Sequence, residues 1–241
     1  MSYFIKFVND YELQDIMYYF FHFLGFLASV IFMVFYSKKF KVKKKHSFVI
    51  ILVTWVIGYI WVYVLAWAEN LFTDWGANNI VRAFIWFPLI AYIPIKLLKV
   101  DTNKAFDILA PSVCLAQAIP HIGCIFIGCC RGYEMDSVFS IYNPLIDANC
   151  FPSQLVEALV AWIIFFICIF YSRHEQYKGN GRVYPLFLIL FGSTRFLLEF
   201  LRDNDKLFAD ISILAIHAFI MVVVGVIWMI ILNKKRLIKK G

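Results

Sequence analysis

Seven apolar stretches, each near the length of a bilayer-spanning helix, leave this chain few ways to fold. They run Met17–Tyr36, Phe48–Ala68, Ile80–Leu98, Phe106–Phe126, Pro152–Tyr171, Tyr184–Leu201 and Ile211–Leu232. About 20 apolar residues cross the hydrocarbon as an α-helix, and lipid-exposed backbone must satisfy its own hydrogen bonds. The chain is 62% hydrophobic and 16% charged, against about 25% charged in a soluble domain. The expected fold is an all-α integral membrane protein of about seven transmembrane helices, built as one polytopic domain over residues 1–241. Pro88 and Pro94 interrupt the third stretch, and Pro111 and Pro120 the fourth. Such breaks are tolerated where neighbours satisfy the freed backbone groups.

The net charge of +7 would suit a nucleic-acid binder, but the charges lie in loops and alternate in sign. Lys38, Lys39, Lys41, Lys43, Lys44 and Lys45 fill the first loop. Lys96, Lys99 and Lys104, then Arg173, Lys178 and Arg182, then Lys234, Lys235, Arg236, Lys239 and Lys240 mark the others. The intervening segments carry Asp10, Glu12 and Asp15; Glu69 and Asp74; Glu134, Asp136 and Asp147; and Asp203, Asp205 and Asp210. Basic loops stay cytoplasmic. Seven spans then place the N-terminus outside and the C-terminus inside. The N-terminus lacks a basic region and a small-residue cleavage site, so the first stretch is expected to be a retained helix. No nucleic acid is expected as a partner.

Arg195 and Glu199 break the sixth apolar stretch, and Arg202 stands at its end. A charge at the bilayer centre costs about 2.5–3.5 kcal/mol on insertion scales, which makes it a functional candidate. Spacings of i, i+4 and i+7 put all three on one helix face. An Arg195–Glu199 pair leaves Arg202 over, and two guanidiniums beside one carboxylate suit an anion. The predicted topology brings other polar groups to the same membrane face. His121–Gly132 (HIGCIFIGCCRG) ends the fourth stretch, and Pro152, Ser153, Gln154 and Glu157 open the fifth. Gly123, Gly128 and Gly132 permit either a close backbone approach or a small-residue helix contact.

His121, Cys124, Cys129, Cys130 and Cys150 fall on the outer face, where metal, disulfide and plain packing are the alternatives. The C-x4-C-C spacing matches a zinc pair poorly, and adjacent Cys129 and Cys130 do not readily ligate one ion. No metal and no cofactor are therefore expected. A disulfide through Cys150 and simple packing both stay open. Cys114 and Cys168 lie within spans and read as packing. His22 and His217 read as cross-helix hydrogen-bonding residues, and His22 stands one turn from Tyr18.

Four motifs in fixed order carry a family resemblance: Asp107–Pro111 (DILAP), His121–Gly132, Phe151–Glu157 (FPSQLVE) and Phe191–Arg202 (FGSTRFLLEFLR). With the weaker Tyr18–Phe26 (YYFFHFLGF), they resemble the bacterial prolipoprotein diacylglyceryl transferases over about half the chain. The chain departs from that pattern at several positions. His121 stands where the family has arginine, Cys124 for asparagine, Cys129 for glutamate, Phe151 for histidine and Phe191 for tyrosine. The family's His-Gly-Gly segment has no counterpart in Arg82–Ile95. A G-C-x-x-x-G-C-C-x-G motif looks like a divergent branch of the family.

The resemblance implies a multi-pass protein of the bacterial cytoplasmic membrane. It implies transfer of a diacylglyceryl group from phosphatidylglycerol to the lipobox cysteine of a lipoprotein precursor. Such chemistry needs cations at the headgroup phosphate, for which Arg195 and Arg202 stand first, with Arg131 or Arg82 as further candidates. It needs a base for the thiol, for which His121 and Glu199 are the candidates. His121 could instead replace the family's arginine as a cation. Tyr18 joins Arg195, Glu199 and His121 as expected catalytic groups. Gly123, Cys124, Gly128, Cys129, Gly132, Ser153, Gln154, Glu157 and Arg202 are the expected substrate-binding set. The lost family residues leave two alternatives: a relative acting on another acceptor, and a non-catalytic lipid-binding or assembly protein.

Overall fold

The computed structural model describes residues 11–71, 80–174, 177–203 and 211–238. Asp10, Asp74, Asp205, Asp210, Lys239 and Lys240, used above for topology, lie outside the described residues, as does the side chain of Arg82. All seven apolar stretches are helical. They form α1 (Tyr11–Tyr36), α2 (Lys44–Asn70), a 3-10 turn (Ile80–Ile85) followed by α3 (Phe87–Leu97), α4 (Thr102–Ala118) with α5 (Pro120–Ile127), α6 (Ser153–Arg173), α7 (Val183–Glu199) and α8 (Ile213–Ile238). Five of them are long and apolar enough to cross a membrane, α4 and α5 counting as one span. The 17 residues of α7 reach about 25 Å, and α3 is shorter still.

The prolines explain the differences from seven equal rods. The third stretch breaks at Trp86, and Pro88 occupies the first turn of α3, where its missing N–H is harmless. Pro120 opens α5 in the same way. Ile119 keeps helical angles between α4 and α5, so the fourth stretch bends without stopping.

Large apolar side chains cover the outside as well as filling the core. Tyr19, Phe23, Phe35, Trp67, Leu159, Phe170 and Leu197 are exposed around the outside, as a lipid-facing belt requires. The centre is α4, whose residues from Ala105 to Ala118 are all buried against α1, α6 and α7. Tyr184 donates a 2.8 Å hydrogen bond to the Phe84 carbonyl and pins the 3-10 turn to α7. Asp107, from the first motif, is fully buried. Its carboxylate accepts the N–H groups of Gly181 at 3.2 Å and Val183 at 3.0 Å. It thereby satisfies donors that a helix start leaves orphaned, and its role is to hold the beginning of α7.

Between α5 and α6 a short hairpin forms, β1 (Ile141–Asn143) pairing antiparallel with β2 (Ala148–Cys150). With the isolated bridges Gly132–Arg202 and Glu134–Cys150 it departs from an all-helical fold, and Asn143 ties it to the end of α5.

Candidate functional site

Four elements deliver charge to one buried point. Glu157, one turn into α6, is the hub. Its Oε1 accepts from Arg195 Nη1 at 2.8 Å and from Arg202 Nη1, and its Oε2 lies 2.8 Å from His121 Nε2. Arg195 Nη1 also stands 2.8 Å from Glu199 Oε2. Ser212, which caps α8 by accepting the Ala215 N–H, donates to Glu199 Oε1 at 2.7 Å. All five ionisable residues are at most 8% exposed. The sequence spacing set one carboxylate against two guanidiniums. The structure corrects this, because Glu157 is the second carboxylate and the formal charges of the two arginines are matched. The anion-site potential lies instead in unused donors. Arg195 Nε and Nη2 and Arg202 Nε are buried without a hydrogen-bond partner. Arg131 is not part of the network, since it pairs with Asp203 at 2.5 Å at the surface.

The turn after α5 is built with care. Gly128 ends the helix in the left-handed region, φ 75°, which glycine adopts without penalty. A Cβ there would sit 2.4 Å from Asn143 Oδ1. Asn143 Nδ2 donates to the Gly128 carbonyl at 2.8 Å, Gln154 Nε2 donates to the Cys129 carbonyl at 2.7 Å, and Ser153 Oγ donates to the Cys130 carbonyl. Three consecutive carbonyls are thus held by the hairpin and by the first turn of α6. The Pro-Ser-Gln motif grips this turn, which gives Ser153 and Gln154 a positioning role. Gly132 lies in an extended bridge to Arg202, and a Cβ there would fall 2.8 Å from the Leu201 carbonyl. Gly128 and Gly132 therefore do not form a small-residue helix contact. Gly123 does allow a close approach: its Cβ would lie 2.9 Å from Phe21 Cβ and 3.1 Å from the Tyr18 carbonyl, so it seats α5 on α1.

That seating creates a cavity of about 530 Å³ between α1, α2, α4 and α5. One end is polar, lined by Tyr18, His22, His121, Cys124, Cys129 and Cys130. Phe26, Trp55 and Ile60 belong to the apolar flank. His22 Nδ1 lies 2.8 Å from the Tyr18 carbonyl, and the two rings pack at 4.0 Å. Of the charged network, His121 alone lines the cavity; Glu157, Arg195, Glu199 and Arg202 stand behind it. The six cysteines are free thiols in this structure, Cys150 among them. Atoms of His121, Cys124 and Cys130 that could bind a metal all lie within 4.8 Å of one another. The linear spacing concealed this grouping, because the Gly128 turn folds Cys130 back over Cys124.

Sequence reasoning missed Asn143 and Ser212. Ser212 was legible as a serine cap before an apolar run. Asn143 carried no local signal, because its partner is fifteen residues away across a turn.

Comparison with known proteins matches residues 11–231 to the family described as prolipoprotein diacylglyceryl transferase. A Clostridium tetani protein named phosphatidylglycerol–prolipoprotein diacylglyceryl transferase is 28% identical over 232 residues, covering 90% of this chain and 92% of that one. Two Clostridium perfringens proteins with the same designation, numbered 2 and 1, are 27% and 29% identical. They cover 72% and 75% of this chain and 70% and 76% of their own lengths. The family match runs over nearly the whole length, and the relatives bear it out: the chain belongs to the prolipoprotein diacylglyceryl transferase family.

Proposed function

We propose that this protein transfers the diacylglyceryl group of phosphatidylglycerol to the cysteine thiol of a lipoprotein precursor, at the outer face of the bacterial cytoplasmic membrane. The observation that carries this reading is the cavity. An apolar flank suited to acyl chains ends at Tyr18, His121 and three thiols, backed by a buried two-arginine, two-carboxylate network. The relatives are named for this reaction.

The reaction breaks a carbon–oxygen bond, and negative charge gathers on the departing glycerol phosphate. Preorganised donors aimed at that charge lower the barrier. The unused N–H groups of Arg195 and Arg202 supply the nearest such donors. His121 brings the network to the cavity and meets the substrates directly. Glu199 is held between Arg195 and Ser212, so it orients Arg195 and leaves proton handling to the cavity-lining groups. Tyr18 borders the headgroup end. Gly123, Gly128, Gly132, Ser153 and Gln154 shape the wall that presents Cys124 and Cys129.

Seven spans with the N-terminus outside fit this assignment. The lysine-rich segment between α1 and α2 then faces the cytoplasm, and the turn after α5, the hairpin and the start of α6 face out. The function is tested by mass spectrometry of membrane lipoproteins from cells with and without this chain. Lipoproteins that lose a cysteine-linked diacylglyceryl group on deletion support the reading. An unchanged lipoprotein profile, in a cell with no second transferase, contradicts it.

A further inference from the structure

We propose that His121, Cys124 and Cys130 hold a zinc-type soft divalent cation whose fourth position faces the cavity and takes the acceptor thiol. The proposal rests on the transferase reading for the identity of the thiol, and on geometry alone for the metal. Three ligand-competent atoms lie within 4.8 Å of one another. Bonds of about 2.0–2.3 Å in a tetrahedral centre put ligand atoms about 3.3–3.8 Å apart, so side-chain movements on the order of 1 Å complete the site. Two thiolates and an imidazole are the donors that zinc prefers over calcium or magnesium.

The imidazole is already prepared as a ligand. His121 is 8% exposed, and both its ring nitrogens are buried without a well-aligned hydrogen-bond partner. Its Nε2 stands 2.8 Å from Glu157 Oε2. A carboxylate beside one ring nitrogen favours the tautomer that leaves the other nitrogen open to a metal. Glu157 is itself held by Arg195 and Arg202, so the charged network acts as the outer support of the metal. Adjacent Cys129 and Cys130 need not share the ion. Cys129 Sγ turns toward the Cys124 carbonyl at 3.9 Å, while the left-handed backbone of Cys130, φ 57°, turns its thiol to Cys124 and His121. The Cys130 carbonyl is clamped by Ser153 and that of Cys129 by Gln154, which fixes the pair in register.

Catalytic zinc sites keep three protein ligands and leave one position open. Here the three candidate ligands line the wall of the cavity that also holds Tyr18 and His22. An acceptor thiol entering that position gives its proton to water and binds as thiolate. The sulfur forms a bond to the glyceryl carbon that bears the phosphate oxygen. The carbon–oxygen bond breaks, its electron pair leaves on glycerol phosphate, and the neutral thioether separates from the ion. Nothing is oxidised or reduced.

The test uses the full-length protein, reduced and purified in detergent. Zinc content is measured, cobalt(II) is substituted as a probe, and thiolate-to-cobalt charge-transfer absorption is followed. A short lipobox-type peptide carrying cysteine is then added beside the same peptide carrying serine. The proposal expects about one equivalent of metal, lost on Cys124→Ser, Cys130→Ser or His121→Ala and kept on Cys150→Ser. It also expects charge-transfer absorption that grows with the cysteine peptide and not with the serine peptide. This last readout needs only the wild-type fold. A reduced wild-type protein that binds no zinc or cobalt overturns the proposal. So does a cobalt spectrum indifferent to the cysteine peptide, which would mark a closed structural site. Thiol-dependent absorption in a protein that transfers no lipid would support the metal site while contradicting the transferase reading.

Discussion

Replacing Glu157 with Gln removes the charge shared by Arg195, Arg202 and His121 at nearly constant volume. The amide oxygen can still accept from one guanidinium. Its NH2 group then faces a donor, and the network is left with one carboxylate, Glu199, against two arginines. Removing one partner of a buried ion pair costs about 3–5 kcal/mol. A domain of this size has about 5–15 kcal/mol to lose. At about 2–4 °C per kcal/mol, the unfolding midpoint should fall by about 6–20 °C. Thermal unfolding in a fixed detergent measures it directly. Because the loss comes from uncompensated positive charge, removing some of that charge should recover part of it. Glu157→Gln with Arg202→Gln should be less destabilised than the sum of the single changes, by about 0.5–3 kcal/mol, as for residues sharing one network. A Glu157→Gln protein with a wild-type midpoint would refute the hub. Strict additivity of the two changes would refute the shared charge.

Arg195→Lys should insert normally yet lose about 10²–10³-fold in transfer rate, since a point charge cannot replace a fork that spans Glu157, Glu199 and the departing phosphate; near-wild-type turnover would remove Arg195 from the site. Gly123→Val should push α5 off α1, because the added Cβ meets Phe21 Cβ at 2.9 Å; we expect about 1–3 kcal/mol of destabilisation and weaker phosphatidylglycerol binding, and unchanged values would show that this contact does not shape the cavity. Reporters fused after Lys45 or Lys240 should read cytoplasmic, and one between Glu134 and Asp147 should read outside; an inside signal from the last would place the hairpin on the wrong face.

The helices were legible because lipid enforces them. Each apolar stretch had to close its own backbone hydrogen bonds, so length and hydropathy predicted seven helical segments, five of them long enough to span, and the prolines marked the break at Trp86 and the bend at Ile119. Arg195, Glu199 and Arg202 stood out for the same reason, as charges where charge is costly. Their partners were less visible. Glu157 was placed on the same membrane face, but its position as hub depends on how α6 packs against α7, which no local pattern encodes. The glycines at 128 and 132 fit a helix contact as well as a turn until Asn143, Ser153 and Gln154 were seen to hold the intervening carbonyls. The cysteine spacing said least about the fold around it. Linear motif rules assume a regular helix or knuckle, whereas a left-handed Gly128 and a left-handed Cys130 fold the thiols toward His121.

The central claim is a reaction, and its most direct measurement is a reconstituted one. The purified protein is mixed with phosphatidylglycerol labelled in its acyl chains and a peptide bearing one lipobox cysteine, and both products are followed by mass spectrometry. The account predicts that the peptide gains an intact diacylglyceryl group through a thioether, with one glycerol phosphate released per modified peptide and no product from the serine peptide. Phosphatidylglycerol that binds but stays whole, with the cysteine peptide unmodified, would contradict it.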